Sequence, residues 1–301
     1  MTVVAMLNQK GGVGKTSTCH HLSGALALMG KRTLLVDNDP QASLTQGFLG
    51  PREARALDPG RTAAALYRGE SPFPEALVRP TGVDLVDLVP GSRHAAEFNV
   101  PVPHRHPLEL QLCLREFLSE VRGRYDVVLI DCPPNLHMAS WAALAAADSL
   151  VVPLKPEDYG AQGVVEVAES VRLVRSGPNP GLVMLGYLLT LVGPRKSIHR
   201  MYEEGLRAEY GPLVFETRVA EAVEYVEALN RRLPVSQFKP KGAASKTMTA
   251  LAGELLRRVV HYEPPRISDP EDGGTRDAPP GISDNETGAT HSASPRNQEA
   301  A

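Results

Sequence analysis

The chain has 301 residues, three cysteines, and a net charge of −3 from 32 basic and 35 acidic residues. That length holds one large or two small domains, and the odd cysteine set (Cys19, Cys113, Cys132) has no metal-ligand spacing, which points to a reducing compartment and away from a disulfide scaffold or iron–sulfur site. No apolar stretch is long enough to span a bilayer and no leader precedes the first apolar run, so a membrane or exported protein is not expected and a cytoplasmic one is.

In chain order, Val3-Val4-Ala5-Met6-Leu7 is an apolar run of buried-strand type. It leads into Asn8-Gln9-Lys10-Gly11-Gly12-Val13-Gly14-Lys15-Thr16-Ser17. A phosphate-binding loop ordinarily reads G-x-x-x-x-G-K-[ST]. Here Gln9 occupies the place of the first glycine, and a variant, K-G-G-x-G-K-[ST], is matched throughout. Glycines let consecutive N–H groups converge on one point, and the helix expected from about Thr16 adds its positive end. Such a loop binds a nucleoside triphosphate. Lys15 would neutralise the β- and γ-phosphates, the Thr16 hydroxyl would ligate Mg²⁺, and Ser17 would donate to the α-phosphate. Leu22, Ala25, Leu26 and Met29 share one face of that helix.

Two further apolar, β-branched runs stop at aspartates: Leu34-Leu35-Val36-Asp37-Asn38-Asp39-Pro40-Gln41 and Tyr125-Asp126-Val127-Val128-Leu129-Ile130-Asp131-Cys132-Pro133-Pro134. Ligands of open α/β sheets bind outside the carboxyl ends of the strands, which predicts that Asp37, Asp39 and Asp131 gather beside the loop. A carboxylate there can hold Mg²⁺ or orient the attacking water. Asn38 is expected only to turn the chain, and Cys132 to be a small buried residue. Further strands are predicted at 83–89, 149–153, 181–191 and 213–216, and helices at 107–122, 138–147, 159–175, 198–210, 219–231 and 243–261. The proline-rich run from Pro101 to Pro107 carries histidines but reads as an exposed loop, and Trp141 as a packed helix residue. Alternation of strand and helix over residues 1–262 predicts one α/β domain, a doubly wound and mainly parallel sheet with helices on both faces. Residues 263–301 carry eight acidic residues against three arginines and few large apolar ones. They are expected to form a disordered acidic tail, leaving a body of about +2.

These three motifs, in this order, resemble the deviant Walker A ATPases, specifically ParA/Soj-type partition ATPases. The resemblance implies an Mg²⁺-dependent ATP hydrolase that forms an ATP-dependent homodimer, with Lys10 reaching the partner's nucleotide. It assigns Asp131 to the metal's water shell, Asp37 to supporting that shell and Asp39 to the hydrolytic water. It also implies non-specific DNA binding and a ParB-like partner that stimulates hydrolysis. Arg195, Lys196, Arg200, Arg218, Arg231 and Arg232 are the DNA-contact candidates. The chain departs from the family where members commonly read Ile-Pro-Arg-Asn-Val-Arg: it has Leu213-Val214-Phe215-Glu216-Thr217-Arg218. The DNA surface is then weaker, relocated to the other arginines, or absent. Two alternatives stay open: a regulatory or protein-positioning ATPase without DNA binding, and a dethiobiotin-synthetase-like metabolic enzyme.

Overall fold

The computed structural model describes residues 1–156, 161–193 and 195–261. The predicted acidic tail, like the start of the helix predicted from residue 159, lies outside the described residues. The elements run β1 Thr2–Met6, α1 Lys15–Leu28, β2 Thr33–Asp37, α2 Ser43–Leu49, α3 Pro51–Ala56, α4 Ala64–Tyr67, α5 Pro74–Leu77, β3 Arg79–Val83, β4 Val86–Val89, α6 Leu108–Glu120 and β5 Val127–Asp131, followed by α7 Met138–Ala146, β6 Ser149–Leu154, α8 Ala161–Arg175, β7 Val183–Leu189, α9 Ser197–Tyr210, α10 Val223–Asn230, α11 Val235–Phe238 and α12 Ala243–His261.

The sheet order is β3-β4-β2-β5-β1-β6-β7, parallel except for the edge strand β3. β1, β2 and β5 are apolar along nearly their whole length because helices cover both faces of the sheet. One core packs α6, α7 and α8 against one face, and the other packs α1, α10 and α12 against the opposite face. The doubly wound architecture expected from the sequence is therefore present. β1 lies in the middle, with β5 and β6 on either side, so the crevice at its carboxyl end is where a ligand of such a fold binds.

Several boundaries differ from expectation for local reasons. The run 83–89 is not one strand: Asp84-Leu85 forms a turn, with Leu85 in the left-handed region at φ 64°, and separates antiparallel β3 and β4. Residues 213–216 form no strand. Val214 bridges Tyr187 once and the Phe215 N–H donates to the Tyr187 carbonyl (2.9 Å), but the N–H groups that follow, of Glu216 and Thr217, go to the Glu254 carboxylate (2.8 Å each). The turn preceding them approaches β7 so closely that a Cβ on Gly186 would lie 2.1 Å from the Leu213 carbonyl oxygen. Residues 219–221 run extended beside Val192, so α10 starts at Val223, later than predicted. The sequence predicts none of the short helices α2 to α5.

Candidate functional site

β1 ends two residues before Asn8, whose side chain sets up the loop. Its amide donates to the Pro153 carbonyl at the end of β6 (2.7 Å), and its oxygen accepts the Lys10 N–H (2.9 Å). The loop turns at Gly12 and Gly14, with φ of 73° and 81°, a conformation that costs other residues strain. Gly11 and Gly12 are exposed, whereas Val13 is buried. The Thr190 hydroxyl, just beyond β7, donates to the Val13 carbonyl (2.8 Å), holding the loop's back against the sheet. Lys15 opens α1 and is buried; its ammonium donates to the carbonyls of Asn8 (2.9 Å) and Lys10 (3.0 Å). Burial lowers its pKa, and Asp131 chiefly opposes that.

The strand register delivers the acidic groups. Asp37 and Asp131 are paired positions at the ends of neighbouring parallel strands, β2 and β5. Both are buried, and burial, followed by the like charge of its neighbour, pushes Asp131 up well above the usual carboxylate range. Lys15 and the Thr16 hydroxyl oppose that shift. Asp37 is raised too, mainly by burial, although Thr45 holds its Oδ2 with both its N–H (2.7 Å) and its hydroxyl (2.6 Å). The same hydroxyl accepts the Gly91 N–H (2.8 Å). Thr45 has no motif to announce it, since its role depends on α2 folding back onto β2. Both oxygens of Asp131 and Oδ1 of Asp37 are buried without a hydrogen-bond partner. Three orphaned carboxyl oxygens beside a threonine hydroxyl suit a hydrated Mg²⁺, which keeps its waters and takes one or two carboxylates with phosphate. Among the described residues, no cluster of three or more His, Cys, Asp or Glu side chains could hold a metal alone. Asp39 is also close by and buried, with Oδ1 accepting the Gln41 N–H (2.9 Å).

Asn38 does more than turn the chain. It is buried, donates to the Ala139 carbonyl of α7 (2.7 Å) and accepts the Tyr67 hydroxyl (2.8 Å), tying the acidic segment to the helix after β5. Cys132 and Trp141 are buried as expected.

Next to Gly14, Ser17 and Thr18 opens a cavity of about 380 Å³, walled by Thr190, Val219, Tyr225, Val226 and Leu229. Its apolar walls and its place at the loop suit a nucleotide base. Three of the six DNA-contact candidates are paired with glutamates. Lys196 pairs with Glu221 (3.6 Å), Arg200 with Glu204 (3.8 Å) and Arg218 with Glu203 (2.9 Å). Arg195 is exposed nearby, and Arg231 and Arg232 sit at the far end of α10. Phe215 is a core residue, fully buried with the Arg258 guanidinium 4.1 Å from its ring centre.

The AAA_31 family, an AAA domain, matches residues 1–184. The chromosome-partitioning ATPase Soj of Thermus thermophilus is 38% identical over 256 residues, 85% of this chain and 96% of that protein. The chromosome partitioning protein ParA of Myxococcus xanthus is 34% identical over 264 residues, 88% of this chain and 91% of that one. The chain belongs to the ParA/Soj family of P-loop ATPases. A solved structure named cobyrinic acid a,c-diamide synthase from Mycobacterium smegmatis, with bound ADP and magnesium, superposes with a TM-score of 0.71 at 27% identity, covering 87% of this chain and 96% of that one. This ParA/Soj protein is accordingly an ATP-hydrolysing enzyme that uses ATP and Mg²⁺. No described helix of it is long and apolar enough to cross a membrane.

Proposed function

We propose that this ParA/Soj ATPase is a dimerisation switch that partitions a chromosome, plasmid or other cargo. ATP joins two protomers, the dimer binds DNA without sequence preference, and a ParB-like partner stimulates the hydrolysis that releases it. Residues 1–262 form the ATPase domain and 263–301 an acidic tail. The protein is cytoplasmic and, in its ATP state, associated with the nucleoid.

One observation carries this reading. The loop holds two lysines with different assignments: Lys15 is buried against its own loop, while Lys10 is only half-buried on a backbone pinned at both its N–H and its carbonyl. Lys15 neutralises the β- and γ-phosphates of its own nucleotide. Ser17 donates to the α-phosphate, while Gly11, Gly12, Val13 and Gly14 supply the backbone cradle. Lys10 serves the α- and γ-phosphates held by the partner. Thr16 and Asp131, with Asp37 in support, hold the Mg²⁺ that screens charge on the phosphoryl oxygens, and Asp39 orients the attacking water. Loss of the γ-phosphate then removes the contact that joins the protomers.

Phe215 in the core and the paired arginines of α9 favour a second reading, a protein-positioning ATPase that does not use DNA. DNA binding measured with ATP, ADP and no nucleotide, at about 50 and about 200 mM salt, separates the two. Partition requires binding that is confined to the ATP state and falls steeply with salt. Equal binding in all three states, or none, removes DNA from the function.

A further inference from the structure

We infer that the DNA-contacting surface of this ATPase is an arginine cluster on α3 and the end of α10, formed by Arg52, Arg55, Arg231 and Arg232, in place of the α9 face; this rests on the DNA-binding reading above. α2 packs on α10 through Gly47, where an added Cβ would lie 3.5 Å from Leu229. At the end of that contact Gly50 closes α2 and opens α3. The Arg232 guanidinium lies over it, so close that a Cβ on Gly50 would be 2.5 Å from Arg232 Cζ. Arg52 is two residues along, Arg55 follows on the same side of α3 at i+3, and Arg231 adjoins Arg232. All four are exposed. Among the described residues none of the four has an ion pair or a side-chain hydrogen bond.

The neighbouring carboxylates are engaged elsewhere. Glu53 pairs with Arg79 (3.3 Å), Glu227 with Lys239 (2.6 Å), and Glu224 accepts the Ala244 N–H (3.1 Å). The candidates on and beside α9 differ in kind. Lys196, Arg200 and Arg218 each bring a glutamate with them, so their local field is nearly cancelled, and Glu203 is shared with Arg207 as well (2.8 Å). A phosphate backbone rewards uncompensated positive charge, because binding releases its condensed counterions. The patch also hangs on two helices that border the nucleotide site at their other ends. α2 carries Thr45 on Asp37, and α10 walls the base cavity with Val223 and Val226. A nucleotide-dependent DNA contact therefore has a short structural route to this face.

The test compares binding of the full-length protein, with ATP, to a random-sequence duplex across salt concentrations. Variants Arg52→Gln/Arg55→Gln and Arg231→Gln/Arg232→Gln should each weaken binding at least tenfold at about 100 mM salt and reduce the log–log salt slope by about 2. Arg200→Gln/Arg218→Gln should stay within about twofold of wild type. Arg52→Lys/Arg55→Lys should retain binding, and fluorescent-ATP affinity with the thermal midpoint checks that each variant folds. Unchanged binding in the patch variants with loss in Arg200→Gln/Arg218→Gln overturns this inference and leaves the partition reading standing. Wild type that binds no DNA in any nucleotide state overturns both.

Discussion

Asp37 and Asp131 are forced together by register, and the residue that makes this tolerable is Thr45. Its hydroxyl donates to Asp37 and accepts from the Gly91 N–H, so one oxygen atom serves two buried groups. Thr45→Val keeps the shape but leaves the Gly91 N–H without an acceptor and strips a donor from a buried carboxylate. A loss of about 1–3 kcal/mol of stability is expected, read as a lower urea midpoint with an unchanged slope. Asp39 is a different case, since its assigned task is to position water and not to bind nucleotide. Asp39→Ala should bind fluorescent ATP normally and hydrolyse it about 100-fold more slowly or worse, a size typical of a lost general base or water-orienting group. Turnover at the wild-type rate would remove Asp39 from the mechanism.

α1 shows how an element can serve the site at one end and the core at the other. Past Lys15 it buries nearly every residue through Leu26 on all sides, between the sheet and α11 and α12. The sequence suggests one apolar face, because His20 and His21 read as polar. Both are buried, His20 against Phe48 and His21 against Tyr225. Burial pushes His20 from 6.5 down to about 4 and His21 down to about 2. The unfolded chain therefore binds more protons than the folded one below pH 6.5, and stability falls with pH through that window, down to pH 4 for His20. At pH 5, His20 alone should cost about 2 kcal/mol relative to pH 7, and His20→Leu should lose less stability over that step when both are unfolded in urea. The same contrast explains what the sequence could reveal. β1, β2 and β5 are legible because both their faces are buried, so composition alone marks them, and the loop and the terminal aspartates follow from them. α2 and α3 are not legible: they are short, Gly47 lies inside one and Gly50 between them, and they are held by Thr45 reaching Asp37 and by Arg232 covering Gly50. The strand expected at 213–216 is absent for a related reason, since Glu254, 38 and 37 residues along the chain, takes the Glu216 and Thr217 N–H groups that a continuing strand would need.

At the scale of the whole molecule, two protomers meeting loop to loop would bring two Lys10 ammonium groups together. In the proposed dimer, like charges so placed would repel without nucleotide. A triphosphate on each side would neutralise them, and the same residue that opposed association would then favour it. On the reading proposed above, nucleotide binding itself should not need Lys10, because Lys15, the loop N–H groups and the end of α1 are in place within one chain. Lys10→Ala should therefore bind fluorescent ATP to within a few-fold of wild type and yet remain a 32.4 kDa species in light scattering with a non-hydrolysable analogue, where wild type doubles its mass. Lys15→Ala should fail earlier, losing nucleotide affinity and the dimer together. The separation between these two variants is the informative quantity. If Lys10→Ala dimerises as wild type does, the lysine acts within its own subunit and the switch must be built from other contacts. If it loses ATP as Lys15→Ala does, the loop is a single pocket with two cations and no role for a partner.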